Sequence, residues 1–130
     1  MRFILKKTKN LNDILQRSDM RNEEFLYKLQ LSGELALKIV NCVRIELGKA
    51  FRLPPEKLYP DDNFREIISL PCWEWDMIEL VFALEEILKI GIDEEQVPDW
   101  TCKSITLGQW IVEFLCRNFP EHNNLKNREI

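Results

Sequence analysis

Glu74, Asp76 and Glu79 lie close together in the run W-E-W-D-M-I-E, and clustered carboxylates are one source of general acid–base chemistry. That chemistry needs a second player. No nucleophile, histidine base or phosphate cradle accompanies these three acids, so they read as solvated charges and the chain does not read as an enzyme. His122 is the single histidine, set in a polar tail after the last apolar stretch, without the partners that a general base or metal site requires. Cys42, Cys72, Cys102 and Cys116 are widely and irregularly spaced, and with one imidazole they do not build a zinc knuckle or ribbon. No metal is expected, and the thiols read as buried or incidental. Trp73 and Trp75 bracket Glu74. They would serve as an aromatic anchor for a partner, or one would fill the core while the other lies partly exposed as its cap.

The elements that position these residues are helical. From Leu11 to Leu31, apolar residues recur at partly helical spacing around the polar run from Gln16 to Asn22, which predicts one broken helix or two short ones. Ser32 is a candidate N-cap for a first long helix, in which Leu35, Ile39, Val43 and Leu47 form an i,i+4 series flanked by Ala36, Val40 and Phe51. Pro54-Pro55 ends it, since proline lacks the amide donor and restricts the residue before it. A loop from Glu56 to Phe64 follows, with Leu58, Tyr59 and Phe64 able to tie it to the core. A second long helix is predicted from near Cys72 or Trp73 to Leu88, with Met77, Leu80, Val81, Leu84, Ile87 and Leu88 as its buried stripe and Gly91 as a left-handed cap. Ile92, Val97 and Trp100 punctuate an acidic linker or short third helix. Thr106-Leu107-Gly108-Gln109 has capping-box spacing ahead of Trp110, Ile111, Phe114 and Leu115.

The chain has 130 residues, 45% of them broadly hydrophobic, enough for one sizeable core and too few to make two ordinary domains the expectation. No apolar run is long enough to span a bilayer, and the N-terminal M-R-F-I-L-K-K turns polar before a signal-peptide core can form, so no membrane insertion and a cytoplasmic location are expected. The net charge of −4 hides an asymmetry: residues 1–53 carry eleven basic and six acidic side chains, residues 54–100 three basic and thirteen acidic. The acidic middle would repel nucleic acid and attract a basic partner surface, or it is an ordinary solvated face.

Three ordered segments carry a family resemblance. D-M-I-E-L-V-F-A-L-E-E-I, Asp76 to Ile87, resembles the acidic recognition helix of acyl carrier proteins; L-P-P-E-K-L-Y-P-D-D-N-F, Leu53 to Phe64, resembles that family's loop after its first helix; and S-I-T-L-G-Q-W-I-V-E-F-L, Ser104 to Leu115, resembles the entry into its last. About half of the chain is covered. The resemblance implies an all-α, acyl-carrier-like four-helix bundle over residues 32–118, with an N-terminal helical extension at 1–31 and a polar tail at 119–130. The family carries phosphopantetheine on a serine just before the acidic helix. Here Trp73, Glu74 and Trp75 stand at the positions of its aspartate, serine and leucine, and the carboxylate of Glu74 cannot retain a phosphodiester as a hydroxyl does.

The expectation is therefore a non-catalytic, degenerate carrier with no prosthetic group, acting through a protein partner that has a basic docking surface. Trp73, Trp75, Asp76, Glu79 and Glu85 would form the binding edge, with Glu74 at the pseudo-attachment position. The alternative is a phosphopantetheine-bearing carrier that uses Ser69, the nearest upstream hydroxyl, in a connection about two residues longer than the family's. Homo-oligomerisation is left open.

Overall fold

The i,i+4 apolar series of the first long helix forms the axis of the molecule. The computed structural model describes residues 12–70 and 75–121. In chain order the elements are α1 (residues 12–16), α2 (Asn22–Lys28), α3 (Glu34–Phe51), a 3₁₀ turn (Pro55–Lys57), α4 (Phe64–Ile68), α5 (Met77–Leu88), a second 3₁₀ turn (Glu94–Gln96) and α6 (Leu107–Asn118). The described residues form an all-α fold with no β-sheet; one isolated bridge joins Asn63 to Thr106.

Helices α2, α5 and α6 all lie against α3. Ile39, Val43 and Leu47 are fully buried, and Ala36, Val40 and Phe51 widen that stripe, while Leu35 is only half-buried. Helix α5 adds Met77, Leu80, Val81 and Leu84, and α6 adds Leu107, Trp110, Ile111, Phe114 and Leu115, to one continuous core. None of these stripes can be buried within its own helix, so packing between helices supplies most of their stability. Among the described residues Trp110 is the largest wholly buried side chain: it stacks on Phe114 at 5.6 Å, meets Phe64 edge-on at 5.4 Å, and its indole N–H donates to the Pro98 carbonyl at 3.1 Å.

Helix ends follow the expected chemistry in some places and not in others. The capping box at α6 is formed, with the Gln109 N–H donating to Thr106 Oγ1 at 3.0 Å and the Thr106 N–H to Gln109 Oε1 at 2.9 Å. Helix α3 ends ahead of Pro54-Pro55, with Arg52 left-handed at φ 58°. Its N-cap, however, is Gly33 at φ 98° rather than Ser32, a backbone geometry that glycine adopts readily. The left-handed cap of α5 is Lys89 at φ 56° rather than Gly91, because the helix stops at Leu88 and the Glu85 carboxylate takes the Ile92 N–H at 2.8 Å. Ile87, expected in the buried stripe, is 42% exposed: it lies on the last turn, at the edge of the Met77/Leu80/Val81/Leu84 face beside Leu80. Between α5 and α6 the acidic segment makes one 3₁₀ turn and no α-helix.

The loop after α3 holds an element that periodicity did not predict, the five-residue α4, capped by Asn63 Oδ1 accepting the Glu66 N–H at 2.9 Å. The chain before α4 is stapled to the start of α6 by the Leu107 N–H on Asp62 O at 2.7 Å and the Gly108 N–H on Pro60 O at 2.9 Å. Leu58 and Phe64 are fully buried there, the anchoring role expected of them.

Residues 12–31 form two short helices over this core, burying Ile14, Met20, Phe25, Leu26 and Leu31. The linker between the helices is bound to the loop after α3. Arg17 Nη1 donates to both carboxylate oxygens of Asp62, at 2.8 and 2.9 Å, and the guanidinium lies over the Tyr59 ring at 4.3 Å; Lys57 pairs with Asp19 at 2.9 Å and donates to the Arg17 carbonyl; and the Tyr59 hydroxyl donates to the Ser18 carbonyl.

Gly48 marks where α3 meets its own exit. A Cβ there would lie 2.6 Å from the Leu53 carbonyl oxygen. Gly48→Ala therefore lowers stability by about 1–3 kcal/mol through overpacking against backbone, although alanine ordinarily favours a helix interior. Urea denaturation measures it, and an unchanged or raised midpoint would show that the turn yields.

Candidate functional site

Helix α5 begins four residues later than the Trp73 start that its apolar pattern suggested. Asp76 is extended at φ −133°, ψ 147°, and acts as N-cap: its Oδ1 accepts the Ile78 N–H at 3.4 Å, while Glu79 Oε2 accepts the Asp76 N–H at 3.4 Å. A reciprocal box of this kind satisfies donors that the first turn leaves orphaned, which is why the helix starts here. Trp75, just before it, is half-buried, with its ring 5.5 Å from that of Phe51 at the end of α3. That places Trp75 partly buried against the core. Trp73 and Glu74, the pseudo-attachment position, lie outside the described residues, as do Cys72 and His122.

The proposed acidic edge is thus partly engaged in holding the helix together. Asp76 and Glu79 are exposed yet close the cap, and half-buried Glu85 holds the turn at Ile92. What stands free on the outer face is a row four residues apart, Ile78, Phe82 and Glu86, with Glu79 beside it. Ile78 is 48% exposed and Phe82 59%. Neither was singled out from the sequence. The signal was present: both fall opposite the buried Met77/Leu80/Val81/Leu84 stripe, so a single-face helix has no core position for them.

Ser69 sits at the C-cap of α4, exposed, its hydroxyl donating to the Arg65 carbonyl at 2.7 Å. It closes a short helix. Of the thiols, Cys42 is buried and pushed up to about 11, chiefly by desolvation and then by Glu46. Cys102 is exposed, with Sγ 3.4 Å from Ser104 Oγ, and hydrogen bonding to Ser104 holds its thiol below the ordinary value. Among the described residues no three His, Cys, Asp or Glu side chains cluster as metal ligands. No helix among them is long and apolar enough to cross a membrane.

Protein-family models, curated proteins and solved structures contain no match to this chain.

Proposed function

We propose that this chain is an acyl-carrier-like helical protein that has no prosthetic arm, performs no catalysis, and binds a protein partner through the outer face of α5. The observation that carries the reading is the exposure of Ile78 and Phe82 on a helix face shared with Glu79 and Glu86. Apolar side chains of this kind supply affinity when a partner desolvates them, and the surrounding acids steer and select a basic surface. Asp76 and Glu85 extend the acidic field while serving as cap and turn anchor, and Trp75 supports the helix start from the core side. The residue order from Asp76 to Ile87 and its flanking segments supports the carrier-like identity.

The residues present do not suit a phosphopantetheine arm. Glu74 offers no hydroxyl, and the Ser69 hydroxyl is engaged with Arg65 at the end of a different helix. The atypical carrier that uses Ser69 remains the competing reading, and intact mass separates the two. The purified chain, incubated with phosphopantetheinyl transferase and coenzyme A, gains no mass; a gain that disappears in Ser69→Ala would replace the present reading.

The partner face is tested by affinity purification of the full chain against Phe82→Ser and Glu86→Lys. These positions are preferable to Glu79 and Glu85, whose reversal also breaks a cap or the Ile92 contact. Phe82→Ser weakens binding of a recovered partner roughly tenfold or more, as expected for a buried aromatic anchor. Glu86→Lys slows association and flattens its salt dependence. Both variants keep the helical circular dichroism signal. Unchanged affinity and rate at low salt would remove α5 as the recognition face.

A further inference from the structure

Helix α5 and its N-cap carry Asp76, Glu79, Glu85 and Glu86, and no basic residue stands between Met77 and Leu88. Among the described residues, none of these four carboxylates enters an ion pair. Exposed Ile78 and Phe82 lie among them, so one side of the helix combines unneutralised charge with apolar surface. A cationic segment that also carries apolar side chains would relieve both costs at once.

The chain itself contains such a segment. Residues 1–11, which lie outside the described residues, read M-R-F-I-L-K-K-T-K-N-L: Arg2, Lys6, Lys7 and Lys9 surround the apolar run Phe3-Ile4-Leu5, and there is no acid. The other end of the chain does not match, since residues 122–130 set Glu129 against Lys126 and Arg128 and have no apolar run. Position and length favour the contact as well. The stretch between α1 and α2 is tied to the loop leaving α3 by the Met20 N–H on the Glu56 carbonyl, and the Trp75 ring at the head of α5 meets Phe51 on the last turn of α3. The root of the segment at Asn12, one short helix before that tie, and the head of α5 therefore both lie toward the C-terminal end of α3. A stretch of this length reaches about 36 Å when extended, roughly twice the ~18 Å of a helix as long as α5.

We infer that residues 1–11 seat on the outer face of α5 of their own chain, with Phe3-Ile4-Leu5 on Ile78 and Phe82 and the basic side chains beside Glu79 and Glu86, and that a partner must displace them. The displacement rests on the reading of α5 as the recognition face; the seat does not. A tethered ligand acts at an effective concentration on the order of millimolar, so contacts too weak to hold a free peptide suffice.

The seat is tested in the full chain without a partner, by comparing amide ¹⁵N–¹H spectra of the native sequence and the variant Arg2→Glu/Lys6→Glu/Lys7→Glu/Lys9→Glu. The amides from Ile78 to Glu86 shift and those of α6 do not. Raising the salt from about 0.1 M to about 1 M moves the native spectrum toward that of the variant, because screening shortens from about 10 Å to about 3 Å. A synthetic peptide of residues 1–11 gives saturable shifts at the same amides of the variant, and binds the native chain at least tenfold more weakly because its seat is filled. Phe82→Ser lowers the heteronuclear NOE of residues 2–9. Amides of α5 that ignore the charge reversal, peptide shifts centred on another helix, or native shifts that change with protein concentration and so report a second copy would each overturn the seat. Displacement is read in Phe3→Ser/Ile4→Ser/Leu5→Ser, which leaves the net charge unchanged and binds a recovered partner at least threefold more tightly. Unchanged affinity there would overturn the displacement alone. Failure of the recognition reading shows differently, as partner affinity indifferent to Phe82→Ser while the NOE of residues 2–9 still falls, and it would remove the displacement and leave the seat.

Discussion

Trp110→Ala lowers the stability of this protein by about 3–5 kcal/mol, the range for emptying a large aromatic site in a packed core. Trp110 is fully buried, stacked on Phe114 and edge-on to Phe64, so its removal strips contacts from α6 and from α4 together. It also deletes a donor to the Pro98 carbonyl, a bond that tethers the acidic segment before α6. Trp110→Phe separates the two effects. It retains most of the stacking while leaving that carbonyl unpaired, at a cost of about 1–3 kcal/mol. Urea denaturation followed by circular dichroism measures both variants without relying on tryptophan emission. A typical domain has only about 5–15 kcal/mol in hand, so the alanine variant stands close to its unfolding threshold near body temperature. A loss below about 1 kcal/mol would mean that the core recloses over the site.

Deleting residues 1–31 abolishes cooperative folding. The deleted segment includes Ile14, Met20, Phe25, Leu26 and Leu31, all buried in the common core, and Phe25 is wholly inaccessible. Removing α2 lays bare the face of α3 that it covers, and a single buried Phe→Ala change already costs about 3–5 kcal/mol. The loop after α3 loses its clamps as well: the Arg17–Asp62 ion pair, the Lys57–Asp19 pair and the Met20 N–H on Glu56 O at 2.9 Å. Calorimetry of the 32–130 fragment should show no cooperative transition, with dye binding to exposed apolar surface in its place. A sharp transition in that fragment would show that residues 12–31 lie on a bundle already complete without them.

Much of the helical plan was readable along the chain. The Ile39/Val43/Leu47 series, the Leu80/Val81/Leu84 stripe and the Thr106–Gln109 cap involve residues within one or two turns of each other, and local spacing and capping chemistry determine them. The polar break between α1 and α2 was legible for the same reason. Periodicity nevertheless reports which face of a helix is apolar without reporting what covers it. The half-burial of Trp75 depends on the ring of Phe51, and the capping role of Asp76 on the extended backbone ahead of Met77. Helix α4 is too short to show a period, and its support comes from the Asp62 and Pro60 carbonyls meeting α6 some forty-five residues on. Arg44 is the sharpest case. As a charged residue it reads as surface, and its burial is decided by acceptors at Met20 and Asn22, contributed by a separate segment of chain. The sequence by itself determined the long helices and most of their apolar stripes, because those depend on neighbours a few residues away. Which polar residues are buried, and which apolar ones such as Phe82 are left in water, was decided only by tertiary packing, since burial is a property of what lies across the interface rather than along the chain.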